Sequence, residues 1–470
     1  MGPTAALALL VGVFTSSLAQ AAEGPATRPG LEEDPQVLSL VREALEKSPE
    51  VARERANVAA EGARVPQAGS LPDPTLTLGI QNDGFKSIQI GTMETSYWQV
   101  MLTQPFPWPG KQGAREAVAR AQEQVASAQL RKVELSATAD VERAWVDLLL
   151  VRGRLELLGK LDVLWKEAEV MARTRYEVGE GAQSDLLRAQ LERTRLSKQR
   201  LALEAEERGR LQALNSLLGR PLDQPVATPR GLGDLADPRA WTPDEAVADA
   251  ERRSPDLAVA SRNVAVADRR VDAARKDWFP DLAVTASVMP RGQIEPMWAL
   301  QLGVTLPIFG AGKQSKAVVE SQERRVAEGR GEDATLLLVR LRARERQALL
   351  AASLRTLELY RGGLLVQSDA AVRSTLVQYG VGKVTFPSVL EVLRGLVADE
   401  GGYLESLAEA QRLAIAQREV SLAQPAGLGG SVASGAVPGA AAMGGGGRPG
   451  GAGGSAPQQA AAPAMQPSGM

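Results

Sequence analysis

The 470-residue chain contains no cysteine and no histidine, and aromatic residues make up only 4% of it. The first absence excludes disulfides, thiol nucleophiles and thiolate metal sites. The second excludes histidine-dependent triads, proton relays and histidine metal sites. Net charge at pH 7 is −2, so the chain carries no positive footprint for nucleic acid. No stretch reaches the ~20 uninterrupted apolar residues of a membrane-spanning helix. Proline is missing between Gly110 and Pro221, and again between Pro307 and Pro387. Proline interrupts helix interiors, so both spans are free to form long helices.

The composition that remains favours such helices. Charged residues reach 23%, and Ala, Leu, Glu, Arg and Gln abound, as in coiled coils. Within the first proline-free span Leu130, Val133, Ala137, Val141, Ala144, Leu148, Val151, Leu155 and Leu158 step by three and four residues. That is the ~3.5-residue period of a left-handed coiled coil. A helix from Lys111 to about Arg175 would be on the order of 100 Å long. It is expected to break at Tyr176-Glu177-Val178-Gly179, with Ser184 or Asp185 capping a returning helix. A second break is expected at Tyr379-Gly380-Val381-Gly382.

Strand signals appear where the period changes to two. Thr75 to Gln81 alternates, Asn82-Asp83-Gly84 is a turn signal, and Trp98, Val100 and Leu102 lie on one face of a returning strand. Further on, Leu282, Val284, Ala286 and Val288 alternate, as do Trp298, Leu300, Leu302, Val304 and Leu306. Each hairpin runs into a Pro/Gly junction and then a helix. The first junction holds Pro105, Pro109, Gly110 and Lys111; the second holds Pro307, Gly310, Gly312 and Lys313. The prolines are expected to halt ladder pairing and the glycines to let the chain turn.

The plan is duplicated. Ser48-Pro49-Glu50 matches Ser254-Pro255-Asp256, and Asn57, Arg64 and Val65 match Asn263, Arg270 and Val271 at one offset. The expected organisation is therefore a first repeat over 23–220, a Pro/Gly-rich linker over 221–241 and a second repeat over 242–424. An apolar run followed by Ala19-Gln20-Ala21 reads as a signal peptide over 1–22, although its start lacks Lys and Arg. Residues 425–470 are mostly Gly, Ala, Pro, Ser and Gln with Arg448 as the one charged side chain, the composition of a disordered tail.

Four strands are too few to close a barrel, and open sheet edges are not tolerated in lipid. Either the hairpins pack as a sandwich in water, or several copies share one transmembrane barrel. Helices of this length favour the shared barrel, because such rods need neighbours along their whole length. The duplicated strand–strand–helix plan, both junctions, the repeated Tyr-x-Val-Gly and Ser184-Asp185-Leu186 resemble the TolC-type outer-membrane efflux proteins. Phe106-Pro107-Trp108-Pro109-Gly110-Lys111 is similar to the heavy-metal-efflux (CzcC/CusC-type) branch.

The resemblance implies a mainly α fold with a transmembrane β-barrel contribution: a trimeric α/β barrel built from two tandem repeats, with four strands and long coiled-coil helices per protomer. It implies an outer-membrane exit duct reaching into the periplasm of a Gram-negative cell. It further implies a periplasmic adaptor and an inner-membrane RND-type pump as partners, lipid around the barrel, and neither cofactor nor catalysis. Tyr176, Val178, Gly179, Tyr379, Val381 and Gly382 would form the tips an adaptor grips. Asp185, Ser388 and Glu391 would form the periplasmic gate, Ser388 standing where the family commonly has an acid. Gln99, Thr103, Gln301 and Thr305 would face the lumen, and Trp98, Trp108 and Trp298 the membrane interface. Lys111 and Lys313 read either as a basic belt or as plain solubilising charges. A multidrug or type I secretion channel, and a soluble periplasmic coiled-coil adaptor, are the competing expectations.

Overall fold

Helix starts are written plainly into this chain. Proline opens the first turn of α1 (Pro35–Lys47), α2 (Pro49–Gly69) and, further along, α5 (Pro243–Arg253) and α6 (Pro255–Lys276). Proline suits that position because its missing N–H has no partner there anyway. Asp34 accepts from the Gln36 amide, Thr242 and Glu245 form a capping box, and Ser254 accepts from the Leu257 amide. Ser48 occupies the same cap position without a side-chain bond. The computed structural model describes Arg28 and residues 30–422; the expected leader over 1–22 and tail over 425–470 lie outside the described residues.

After α2 come β1 (Thr75–Gln81), β2 (Tyr97–Phe106), α3 (Lys111–Glu177) and α4 (Gln183–Leu217). After α6 come β3 (Asp281–Arg291), β4 (Ile294–Thr305), α7 (Gln314–Leu359), a π turn (Tyr360–Leu364), α8 (Leu365–Gly380) and α9 (Phe386–Glu419). The order helix, helix, strand, strand, long helix, returning helix thus occurs twice. The second rod is not continuous: the π turn, which contains Gly362-Gly363, divides α7 from α8. Proline counting cannot detect that break, since glycine and a changed hydrogen-bond register make it.

The two hairpins join into one antiparallel sheet in the order β1-β2-β3-β4, not a sandwich. Leu76 pairs with Leu102, Leu102 with Ala286, and Ala286 with Leu300. Because side chains alternate, this row and its neighbours form one apolar face. Leu78, Trp98, Trp298, Leu300 and Leu302 on it are 70%, 55%, 79%, 67% and 69% exposed. The opposite face carries Thr77, Gln99, Thr103, Thr285, Gln301 and Thr305, with Thr103 and Thr285 hydrogen-bonded at 3.0 Å.

Below the sheet, α3 is the spine, touching α1, α2, α4, α6 and α9. Its 67 residues span on the order of 100 Å. The expected stripe broadens midway: Trp145, Val146, Leu148, Leu149, Leu150 and Val151 are all buried, so the helix is enclosed on nearly every side there. Lower down, the α3–α4 and α8–α9 hairpins share one core built on Leu161, Trp165, Ala189, Val372, Phe386 and Leu393. The segment 221–241 is an ordered strap. Arg152 of α3 holds Val226 O and Thr228 Oγ1, Gln411 of α9 holds Ala236 O, and Gln347 of α7 holds Trp241 O. Arg361 of the π turn clasps Asp237, while Leu232 and Leu235 are buried beneath the strap.

Candidate functional site

The two strand–helix junctions link β2 to α3 and β4 to α7. Pro105 does not end β2; it pairs with Ala283, and the strand runs on to Phe106. It does lie beyond the last β1 partner, Thr75 opposite Thr103, so its missing N–H falls where β2 has only one neighbour. Proline is tolerated at such an edge. Pairing therefore stops on one side after Thr103 and on the other after Phe106, before Pro107 and Pro109. Gly110 then takes φ +92 as the N-cap of α3, a conformation costly for residues with a Cβ. In the second junction the glycine requirement is different. A Cβ on Gly310 would lie 2.7 Å from the Trp278 ring, whereas one on Gly312 would meet only Phe309 O at 3.9 Å.

Lys111 departs from both sequence expectations. It is neither an exposed basic belt nor a solubilising charge: it is 5% exposed and bonded to Asp281 at 2.9 Å. Asp281 also accepts the Trp108 amide at 2.9 Å, and Trp108 stacks on Phe279 with centroids 5.8 Å apart. One carboxylate thus ties the first junction to the start of β3. Lys313, at the equivalent place in the second junction, is exposed.

The two helix breaks share one backbone geometry. Gly179 and Gly382 have φ +78 and +76. The Glu180 amide returns to Arg175 O and the Lys383 amide to Gln378 O, both at 2.9 Å, closing Schellman-type ends. Neither Ser184 nor Asp185 caps the returning helix. Its N-cap is Ala182, with no side-chain bond, and Asp185 sits one turn in, where a negative charge suits the helix dipole.

The side chains are not symmetric. Tyr176, Val178 and Val381 are 45%, 65% and 66% exposed, but Tyr379 is only 2% exposed. Tyr379 is therefore a core residue rather than part of an outward-facing tip. It meets Phe386 edge-on at 5.5 Å and carries Arg175 over its ring at 5.0 Å. Arg175 donates to Tyr379 O at 2.6 Å and to Glu180 O at 3.2 Å, so one guanidinium bridges both breaks. The duplicated motif conceals Arg175, because the matching position before Tyr379 is Gln378. Burial pushes the Tyr379 phenol up, and the nearby Asp185 charge adds to that. Ser388 is half-buried in the first turn of α9 and Glu391 is exposed. Among the described residues no group of three or more Asp or Glu is placed to hold a metal ion, and no helix is long and apolar enough to cross a membrane.

The pattern of a protein family described as outer membrane efflux protein matches residues 40–220 and 246–427. The nickel-cobalt-cadmium resistance protein NccC of Alcaligenes xylosoxydans xylosoxydans is 26% identical over 307 residues, 63% of this chain and 65% of NccC. The nickel and cobalt resistance protein CnrC of Cupriavidus metallidurans is 26% identical over 293 residues, 61% of this chain and 68% of CnrC. This chain thus spans slightly under two thirds of NccC. The outer-membrane channel OprN shares the fold, with a TM-score of 0.70 at 20% identity over 83% of this chain and 91% of OprN.

Proposed function

Because the chain belongs to the outer membrane efflux protein family, we propose that it is the exit duct of a tripartite efflux system in a Gram-negative outer membrane. In this reading a homotrimer takes substrates, heavy-metal cations foremost, from an RND-type inner-membrane pump through a periplasmic adaptor to the exterior. The observation that carries it is the single-layer sheet. It exposes a continuous apolar face and leaves β1 and β4 each with an unpaired edge. Lipid accepts the face but not the edges, so β4 of one copy pairs with β1 of the next. Three copies supply twelve strands, an even number suited to an outer-membrane barrel.

The polar face then lines a water-filled lumen, and the long helices carry the wall into the periplasm. Residues 23–220 and 242–424 act as two repeats joined by 221–241. Tyr176, Val178, Gly179, Val381 and Gly382 present the adaptor-facing tip, with Tyr379 supporting it from inside. Asp185, Ser388 and Glu391 ring the periplasmic gate, where carboxylates from several copies repel one another and attract cations. The junction residues Pro105, Pro109, Gly110, Lys111, Pro307, Gly310, Gly312 and Lys313 mark the periplasmic rim of the barrel. Likeness to NccC and CnrC supports metal cations as cargo.

Fractionation with heat-modifiable migration on unboiled gels tests the barrel; a soluble periplasmic monomer would sink it. A deletion strain exposed to nickel, cobalt, zinc, copper and a drug panel tests cargo. Sensitivity to drugs alone would replace the metal reading with the multidrug one.

A further inference from the structure

Two adjoining cavities, of about 700 and 500 Å³, run along the wall made by α2, α3, α6 and α7. The residues common to both number one from each helix: Arg64, Gln122, Arg270 and Ser321. They form a polar waist between the cavities. Arg64 and Arg270 are the arginines that match at one offset between the two halves of the sequence, so the duplication delivers two guanidiniums to one level.

The waist lies on the lumen side of the wall. Lys111, Arg115, Val118, Gln122, Val125 and Gln129 recur at helical spacing on one face of α3. Lys111 is bonded to Asp281, which belongs to the same sheet face as Ala283, Thr285 and Ser287, opposite the apolar one. The groove therefore continues the polar face of the sheet downward. That it is a lumen rests on the channel reading above; the groove itself does not.

Charge accounting selects the ligand. Glu61 is held by Arg64 through one guanidinium nitrogen; this balances the charge of Arg64 but leaves its other nitrogens, without partners among the described residues, as donors. Glu320 is held by Arg324 and Glu54 by Arg53 and Asn57. Arg270 makes no ion pair among the described residues and is exposed. Asp277 lines only the junction-side cavity and Glu328 only the other, so no acid is common to both. At the waist, two exposed guanidiniums and the half-buried Gln122 amide remain, the Ser321 hydroxyl donating to Ala317 O at 2.9 Å.

We propose that this waist is a binding site for a small multivalent oxyanion, with Arg64 and Arg270 as its charged ligands and the Gln122 amide as a neutral donor. Planar guanidinium forks match oxyanion geometry. In a threefold assembly the waist becomes a belt of six arginines inside a duct whose gate is acidic. Cargo cations would cross it most readily when accompanied by oxyanions.

The test is titration of inorganic phosphate into the purified full-length protein in detergent, followed by ³¹P line broadening, with chloride at matched ionic strength as control. Saturable binding is expected for the wild type, weakened about tenfold or more in the R64Q/R270Q double variant, on the scale of two lost charge-assisted contacts. Ser321→Asp, which puts a carboxylate into the waist and leaves both arginines in place, is expected to weaken binding as well. Arg64 and Arg270 are exposed and Ser321 is half-buried on a helix face, so circular dichroism should remain that of the wild type. Equal phosphate binding by wild type and double variant would overturn the site. Planar-bilayer conductance separates the two readings: no conductance fails the channel reading, while the titration still decides the waist.

Discussion

The guanidinium of Arg175, at the end of the first long helix, donates to the carbonyl of Tyr379 at the end of α8 while lying over the same tyrosine's ring. Tyr379 O also accepts the Gly382 amide at 3.0 Å. The geometry of each helix break therefore depends on the other. Arg175→Ala removes a charge-assisted bond and a cation–π contact, together worth about 2–4 kcal/mol. Hydrogen exchange should report faster opening at 176–185 and 379–388, with the mid-helix core unchanged. Arg175→Lys, with a compact charge and no planar fork, should recover only part of the protection.

The glycines of the two junctions and the two breaks should rank by geometry. Gly310→Ala drives a Cβ into Trp278 and Pro307 O, and Gly181→Ala meets the Arg175 and Tyr176 backbone at 3.0–3.1 Å. Each is expected to cost about 1–3 kcal/mol by overpacking. Gly179→Ala has open space but φ +78, so it should cost about 1 kcal/mol from strain alone. Gly312→Ala has neither obstacle and should be silent. Thermal unfolding of the four variants checks the order; a costly Gly312→Ala would contradict it.

Lys111 and Lys313 occupy equivalent positions but should respond differently. Lys111→Ala leaves Asp281 with only the Trp108 amide as a bonded partner among the described residues, and Asp281 keeps 39% of its side chain exposed. The loss should be about 2 kcal/mol, below the range for breaking fully buried pairs. Lys313→Ala should stay within about 0.5 kcal/mol, as for ordinary surface changes. Denaturant midpoints for the two variants make the comparison.

Glu43 gives the fold a pH dependence of known sign. Its hydrogen bond with Arg220, opposed by burial and assisted by Lys47, lowers its pKa from 4.5 to about 2. A carboxyl lowered on folding stabilises above its unfolded pKa and loses that contribution as pH falls from about 4.5 to about 2. Glu142 and Glu409, raised by burial, act oppositely: protonation relieves a cost they impose when charged. Glu43→Gln should lower stability at pH 7 by about 1 kcal/mol, allowing for solvent screening, and flatten the acid limb. An unchanged acid limb would show that the Arg220 pair contributes nothing.

Much of this architecture is legible in the residues. The strand over Thr75 to Gln81, the proline-opened helices and the φ-positive glycines at 179 and 382 follow from period, capping and turn chemistry, which act locally. What escaped the sequence depends on contacts between distant segments. Lys111 reads as a surface lysine until Asp281 is beside it. Tyr379 reads like Tyr176 until Arg175 covers it. The π turn at Tyr360–Leu364 sets Tyr360 against Gly402 of α9, where a Cβ would run into the tyrosine hydroxyl. Symmetry within the sequence revealed the plan and also concealed where the halves differ.

The seam between β2 and β3 has a kinetic side. Thr103 and Thr285, hydrogen-bonded across it, are 182 positions apart in the chain. The first hairpin is therefore made, and must wait with its inner edge bare, while α3, α4 and the strap are still being delivered. Pairing at such sequence separation is slow because loop-closure entropy comes first. Over that interval an apolar, open-edged hairpin is the segment of this protein most in need of an escort.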